Sequence, residues 1–262
     1  MTTNPSWLQL SEQDSRRFGI TIIRGVLERP VGDATRLADE VVTMTGDLAI
    51  VRVPAGDVAL PLALVARGLT PIHADTLVYY ERDACLPVRH ITRDPSLLIE
   101  HAGESDRATL STLATVVFGT YRSHYHANPR LDPKAIAEGY GEWATSCLID
   151  SLSPEQTKRE TWVVRQGDAI IAFATCALDE RSKSTEILLN AVEPSHARQG
   201  IYGSLLRHLV DSYHQQGWAA VRISTQVWNY TVQRAWAREG FLLTHAFDTY
   251  HVPLGNHLAV ST

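Results

Sequence analysis

The residues with the clearest capacity for chemistry lie between Glu186 and Gly240, where the chain reads EILLNAVEPSHARQGIYGSLLRHLVDSYHQQGWAAVRISTQVWNYTVQRAWAREG. Glu186 to Val192 is mostly apolar and contains branched residues, which predicts a strand that Pro194 closes. The turn Ala197-Arg198-Gln199-Gly200-Ile201-Tyr202-Gly203 then leads into a helix with apolar residues at helical spacing. The first turn of a helix leaves backbone N–H donors unpaired and carries the positive end of the macrodipole. Glycine lets the backbone come close to a ligand, so this junction is suited to hold a phosphate or pyrophosphate.

The elements after the turn narrow the possibilities. An amphipathic helix to Gln216 stops at Gly217, a strand spans Ala220 to Thr225, Asn229 opens a second helix, and Gly240-Phe241 ends it. An ordinary helix–strand connection would explain the glycines but not this whole series. The segment resembles motif A of the GCN5-related N-acetyltransferases (GNAT superfamily), whose pattern is Gln/Arg-x-x-Gly-x-Gly/Ala followed by a helix. Gly200 matches the first glycine, Ala197 stands at the Gln/Arg position, and Tyr202 replaces the small last residue.

The resemblance implies acetyl-CoA, or another acyl-CoA, as co-substrate, with no metal. It implies cofactor contacts at Asn190, Ala191, Val192, Arg198, Gln199, Gly200, Ile201, Tyr202, Gly203 and Asn229. Acyl transfer to an amine needs a neutral amine, a polarised thioester carbonyl and an acid for the departing thiolate. Glu186 falls where histone-type members of the superfamily carry a glutamate base. Period-2 alternation is expected to put Glu186 and Asn190 on one face of their strand, with Ile187, Leu189 and Ala191 on the other. The tyrosine that serves these enzymes as acid is replaced by Trp236, and an indole N–H cannot supply that proton. Tyr202, Tyr230, His245 and Tyr250 are the candidates to replace it, Tyr202 and Tyr250 foremost, unless the thiolate takes its proton from water.

The pieces Phe18-Gly19, Ser224-Thr225-Gln226, Asn229 and Phe247 to His251 resemble the branch that N-acylates amino sugars carried on nucleotides, typified by TDP-fucosamine acetyltransferase. That resemblance implies an acceptor site for a nucleotide amino sugar, with Arg122, His124, Gln226, Arg234 and Trp236 as substrate contacts. Two other outcomes stay open: the same chemistry on a natural product, amino acid or protein amine, or a catalytically silent module that binds acyl-CoA.

The elements that must position these residues form a mixed α/β sheet protein. Before residue 92 the pattern alternates: strand Ile20–Val26, helix Asp33–Met44, strand Leu48–Val53, helix Val58–Arg67 and strand Thr76–Tyr80. This small α/β domain, spanning 1–92, has the order of half an acetyltransferase. The acyltransferase domain spans 93–262 and opens with strand Leu97–His101, helix Asp106–Tyr121 and helix Lys134–Cys147. A hairpin turning at Gln166-Gly167-Asp168 comes next.

The chain has 262 residues, a net charge of -5 and a pI near 6.1, with no dense basic run, which argues against capture of nucleic acid or anionic membrane. No apolar run reaches membrane-spanning length and the first residues are polar, so a cytoplasmic location is expected. Cys85, Cys147 and Cys176 are odd in number and lack a CxxC, which predicts buried free thiols rather than disulfides or zinc. His124-Tyr125-His126 has the look of a metal pair but no completing ligand, and a polar surface or substrate-facing stretch is expected there. A strand at the C-terminus invites pairing into a homodimer.

Overall fold

The computed structural model describes residues 7–88, 94–153 and 158–254. Its elements in chain order are β1 (Leu8–Leu10), α1 (Glu12–Phe18), β2 (Ile22–Val26), α2 (Ala34–Thr43), β3 (Leu48–Pro54), α3 (Ala59–Val65) and β4 (Ile72–Asp83). Next come β5 (Leu97–His101), α4 (Arg107–Phe118), α5 (Pro133–Leu152), β6 (Arg159–Gln166), β7 (Ala169–Asp179) and β8 (Ser184–Val192). The chain continues through α6 (Ile201–Gln215), β9 (Ala220–Gln226), α7 (Tyr230–Arg238) and β10 (Leu242–Pro253). Two compact units emerge. Unit 1 takes its described residues from Met1–Val78, Arg122–Ala135 and His245–Thr262, and unit 2 from Tyr79–Tyr121 and Ile136–Thr244. The domain boundary expected at 92/93 lies outside the described residues.

In unit 1, β2 and β3 run parallel, with Ile22–Val26 opposite Leu48–Arg52. Antiparallel β1 flanks β2, and antiparallel β10 flanks β3. Helix α2 forms where the sequence predicts it: Asp33 caps it by accepting from Arg36 N–H at 3.0 Å, and Leu37, Ala38 and Val41 are buried. These residues pack with Leu60 and Leu64 of α3 on Ile23, Ala49, Val51, Val53 and Val252. Alternation and register put Arg24, Ile50, Arg52, Thr249 and His251 on the opposite sheet face. Strand β10 has β3 on one side and β4 on the other, so the C-terminal strand offers no free edge for a second copy.

In unit 2 the strand order is β4-β9-β8-β7-β6-β5. One face packs on α6 and α7 through Ala174, Cys176, Ile187, Val221 and Ile223 against Ile201, Leu205, Leu209, Tyr213 and Trp236. The other packs on α4 and α5 through Val163, Phe173, Leu189 and Ala191 against Leu110, Leu113, Phe118, Ala144 and Leu148. Each such fully buried aliphatic side chain stabilises the fold by about 1.5–3 kcal/mol. Cys147 and Cys176 are buried as expected, whereas Cys85 is exposed in the turn after β4. Burial pushes the Cys176 thiol up to about 12, which leaves it inert.

Candidate functional site

The site grows from one irregularity in β8. Thr175 of β7 pairs with Leu189 and Cys176 with Ile187, so Leu188 is an extra residue, a β-bulge. The bulge reverses the alternation. Ile187 packs with the α6 core, while Leu189 and Ala191 pack with the α4–α5 core. Asn190 opposes Ala174 of the α6 face, and Val192 packs there too. Glu186 precedes the bulge and opposes Arg222, which alternates with the α6-facing Val221 and Ile223; Glu186 therefore lies on the α4–α5 face. The expectation that Glu186 and Asn190 share a face is thus corrected, because simple period 2 ignores the inserted residue.

The same strand parts from its parallel neighbour. The register of β8 with β9 runs from Ser184/Ala220 to Ile187/Ile223 and no further. Leu188–Val192 run with β7 instead, and Ser224–Gln226 leave on the β9 side, opening the sheet next to the loop that leads to α6. In that loop Arg198 and Gly200 both adopt left-handed backbone, φ 63° and 80°. The conformation costs nothing for Gly200 but strains Arg198. Arg198, Gln199 and Gly200 are exposed. The first helical bond of α6 closes from Ser204 N–H to Gly200 O at 3.0 Å. The N–H groups of Ile201, Tyr202 and Gly203 therefore have no intrahelical acceptor, which fits this junction to a pyrophosphate.

Around the opening the side chains form two hydrogen-bonded sets. Trp236, buried in the α6–α7 core, donates its indole N–H to the Tyr202 hydroxyl at 2.6 Å. Burial raises the Tyr202 phenol well above the ordinary range, against the Trp236 bond, which lowers it. Trp236 is 1% exposed, so it supports Tyr202 and does not face a substrate as expected. The second set was not anticipated as a unit. Asn229 Nδ2 donates to Thr225 Oγ1 at 3.1 Å, Thr225 lies 2.9 Å from the Tyr121 hydroxyl, and Tyr121 donates to Gln226 Oε1. Because the single Tyr121 proton goes to Gln226, the Thr225 hydroxyl donates to Tyr121. Asn229 makes no side-chain cap on α7. The helix expected to run to Tyr121 ends at Phe118, so Tyr121 lies three residues beyond α4, in the irregular stretch before the 3-10 turn.

Other expected residues lie elsewhere. Arg222, opposite Glu186, forms an ion pair with Glu81 at 2.7 Å. Arg234 is exposed on α7, and Arg122 is exposed after α4. Tyr250 belongs to unit 1, packs against the α2–α3 core and has a phenol raised by burial. His124 is 5% exposed, with Arg24 at one ring nitrogen (3.2 Å) and His251 at the other (2.9 Å). It is therefore neither surface nor an open substrate contact, because a short 3-10 turn (His124–Ala127) tucks it inside unit 1. No helix among the described residues is long and apolar enough to cross a membrane.

Residues 129–241 match the family described as Acetyltransferase (GNAT) family. No curated protein matches the sequence. Among solved structures, the chain is similar to a GCN5-related N-acetyltransferase from Sphaerobacter thermophilus, at 14% identity and TM-score 0.61, covering 93% of this chain and 75% of that one. It is also similar to a GCN5-related N-acetyltransferase from Kribbella flavida, at 13% identity and TM-score 0.57, covering 90% and 83%. A conserved protein of unknown function from Staphylococcus epidermidis aligns at 13% identity and TM-score 0.56, covering 96% and 92%. At such identities the likeness is one of fold. The acetyltransferases of this family use acetyl-CoA, and the open junction of β8, β9 and α6 lies inside the matched residues. Residues 129–241 carry the match to the acetyltransferase family, and the chain shares its fold with GCN5-related N-acetyltransferases.

Proposed function

We propose that the chain moves an acetyl or related short acyl group from acyl-CoA to the amine of a nucleotide-linked amino sugar by direct attack. The observation that carries the site assignment is the parting of β8 from β9 beside the left-handed Gly200 turn. In this reading the pyrophosphate docks on the N–H groups of Arg198 to Gly203, and the backbone of Asn190 to Val192 with Asn229 lines the pantetheine arm. The thioester lies in the opening. Glu186 takes the amine proton, directly or through water, from the α4–α5 face, while the side chains of Asn190 and Val192 belong to the α6 face. The two substrates then meet through the sheet from opposite sides.

Tyr202 serves the departing thiolate. Its oxygen accepts from Trp236, so its own O–H remains to donate, and the tryptophan that replaces the usual acid orients the phenol that takes over. The acceptor is a small molecule, and Gln226 and the exposed Arg234 are its polar contacts. Labelled acetyl-CoA offered with a panel of amines tests this assignment. Preference for nucleotide amino sugars is expected; preference for an amino acid or protein amine would overturn the acceptor. Tight acetyl-CoA binding without turnover on any amine would overturn catalysis.

A further inference from the structure

Unit 1 contains a polar chain that ends on an unanswered donor. On the sheet face opposite the α2–α3 core, Asp14 pairs with Arg24 Nε at 2.8 Å and accepts from the Tyr125 hydroxyl at 2.9 Å, and Arg17 Nη1 approaches to 3.7 Å. Arg24 Nη2 reaches Tyr125 and, at 3.2 Å, His124 Nε2. His124 Nδ1 in turn lies 2.9 Å from His251 Nε2.

The proton positions are dictated by chemistry. A guanidinium only donates, so His124 Nε2 must accept. Burial, reinforced by Arg24 and Arg52, pushes both imidazoles down, His251 to about 4, so each ring carries one proton at neutral pH. The His124 proton is then on Nδ1 and is donated to His251 Nε2. This leaves the His251 proton on Nδ1, which is buried and finds no acceptor among the described residues. A buried N–H without an acceptor is disfavoured, so a group that accepts from it gains on entry.

Charge selects the kind of group. Asp14 is shared between Arg24 and Arg17, whereas Arg52 meets the neutral Thr249 hydroxyl at a long 3.3 Å. Arg52 opposes Thr249 in register, which makes it a diagonal neighbour of His251 on the same face. A cationic fork therefore stands beside a buried, polarised N–H donor.

We propose that unit 1 binds an oxyanion, a carboxylate or phosphate, between the Arg52 guanidinium and His251 Nδ1–H. An anion seated there would accept from both groups, a charge-assisted pairing that a bound water cannot provide.

Full-length protein labelled with 15N-histidine, titrated with inorganic phosphate against chloride at matched ionic strength, tests the site. A saturable shift of the His251 Nδ1–H resonance is expected with phosphate and not with chloride, and Arg52→Gln should abolish saturation. Equal responses to both salts, or a proton found on His251 Nε2, would overturn it.

Discussion

Two parallel strand–helix–strand crossovers of this molecule, β2–α2–β3 and β8–α6–β9, use the same local pattern and finish it differently. In β2–α2–β3 the parallel register takes in all of β2, from Ile22/Leu48 to Val26/Arg52. In β8–α6–β9 it stops after Ile187/Ile223, although β8 continues to Val192. The closed crossover has its backbone groups satisfied by strand pairing and its helix capped by Asp33. The open one carries the Leu188 bulge and enters its helix through Gly200 with no side-chain cap. Regular pairing builds a core; relaxing it leaves directed backbone donors, which is what binding a phosphate and a thioester requires.

The sharpest test of the open crossover is Glu186→Gln. Loss of a positioned base lowers turnover by about 10²–10⁴, so kcat should fall at least a hundredfold at pH 6.5, and the defect should shrink as pH rises toward the pKa of the amine. A pH–rate profile unchanged from that of the parent enzyme would remove Glu186 as the base. The closed unit should instead show its weakness in acid. The folded pKa of His251 is about 4 against an ordinary 6.5, and His124 shifts the same way. A depressed folded pKa means stability that is whole above pH 6.5 and is lost as pH falls toward 4, roughly 3 kcal/mol for His251 alone. Unfolding by urea at stepped pH, monitored through the His124 and His251 resonances, should show this slope in unit 1.

The two crossovers also use glycine for opposite reasons, and substituting each with alanine separates packing from conformation. A Cβ on Gly25 of β2 would meet the Trp7 ring at 2.4 Å and Leu8 at 2.9 Å, so Gly25→Ala should cost about 1–3 kcal/mol of stability by overpacking. A Cβ on Gly200 meets nothing within 4 Å, but φ is +80°. Gly200→Ala should therefore strain the loop by about 1–2 kcal/mol and raise KM for acetyl-CoA roughly tenfold, an effect on KM that Gly25→Ala should lack. Calorimetry of the two variants against acetyl-CoA titrations decides between the causes.

Legibility in the sequence depends on which signals are local. Strand Leu97–His101 and the 166–168 turn, helix α2 and the whole order from β8 to α7 could be read from period and breakers. Helix α1 was not: seven mostly polar residues with Asp14 as the buried one show no apolar stripe. The Glu186 face was misassigned because a bulge is a property of the pairing with β7, invisible in β8 alone. His124 and Tyr121 owe their places to residues far along the chain, His251 and Thr225–Gln226, which no spacing rule connects. Trp236 is recognisable as a departure from the family pattern, but that it bonds Tyr202, another departure, required the fold.

That pairing gives the smallest and most specific expected effect. If the indole N–H of Trp236 orients the Tyr202 phenol for the leaving thiolate, Trp236→Phe keeps an aromatic ring in the core while deleting the donor. Tyr202→Phe keeps the ring and deletes the phenol. Each should lower kcat several-fold, about 1 kcal/mol, the net worth of one neutral hydrogen bond, with KM for acetyl-CoA little changed. Groups that act as a unit are not additive, so the double variant should be no slower than the worse single one. Effects that multiply in the double variant would show two independent packing roles, and the open crossover would then protonate its leaving group from solvent.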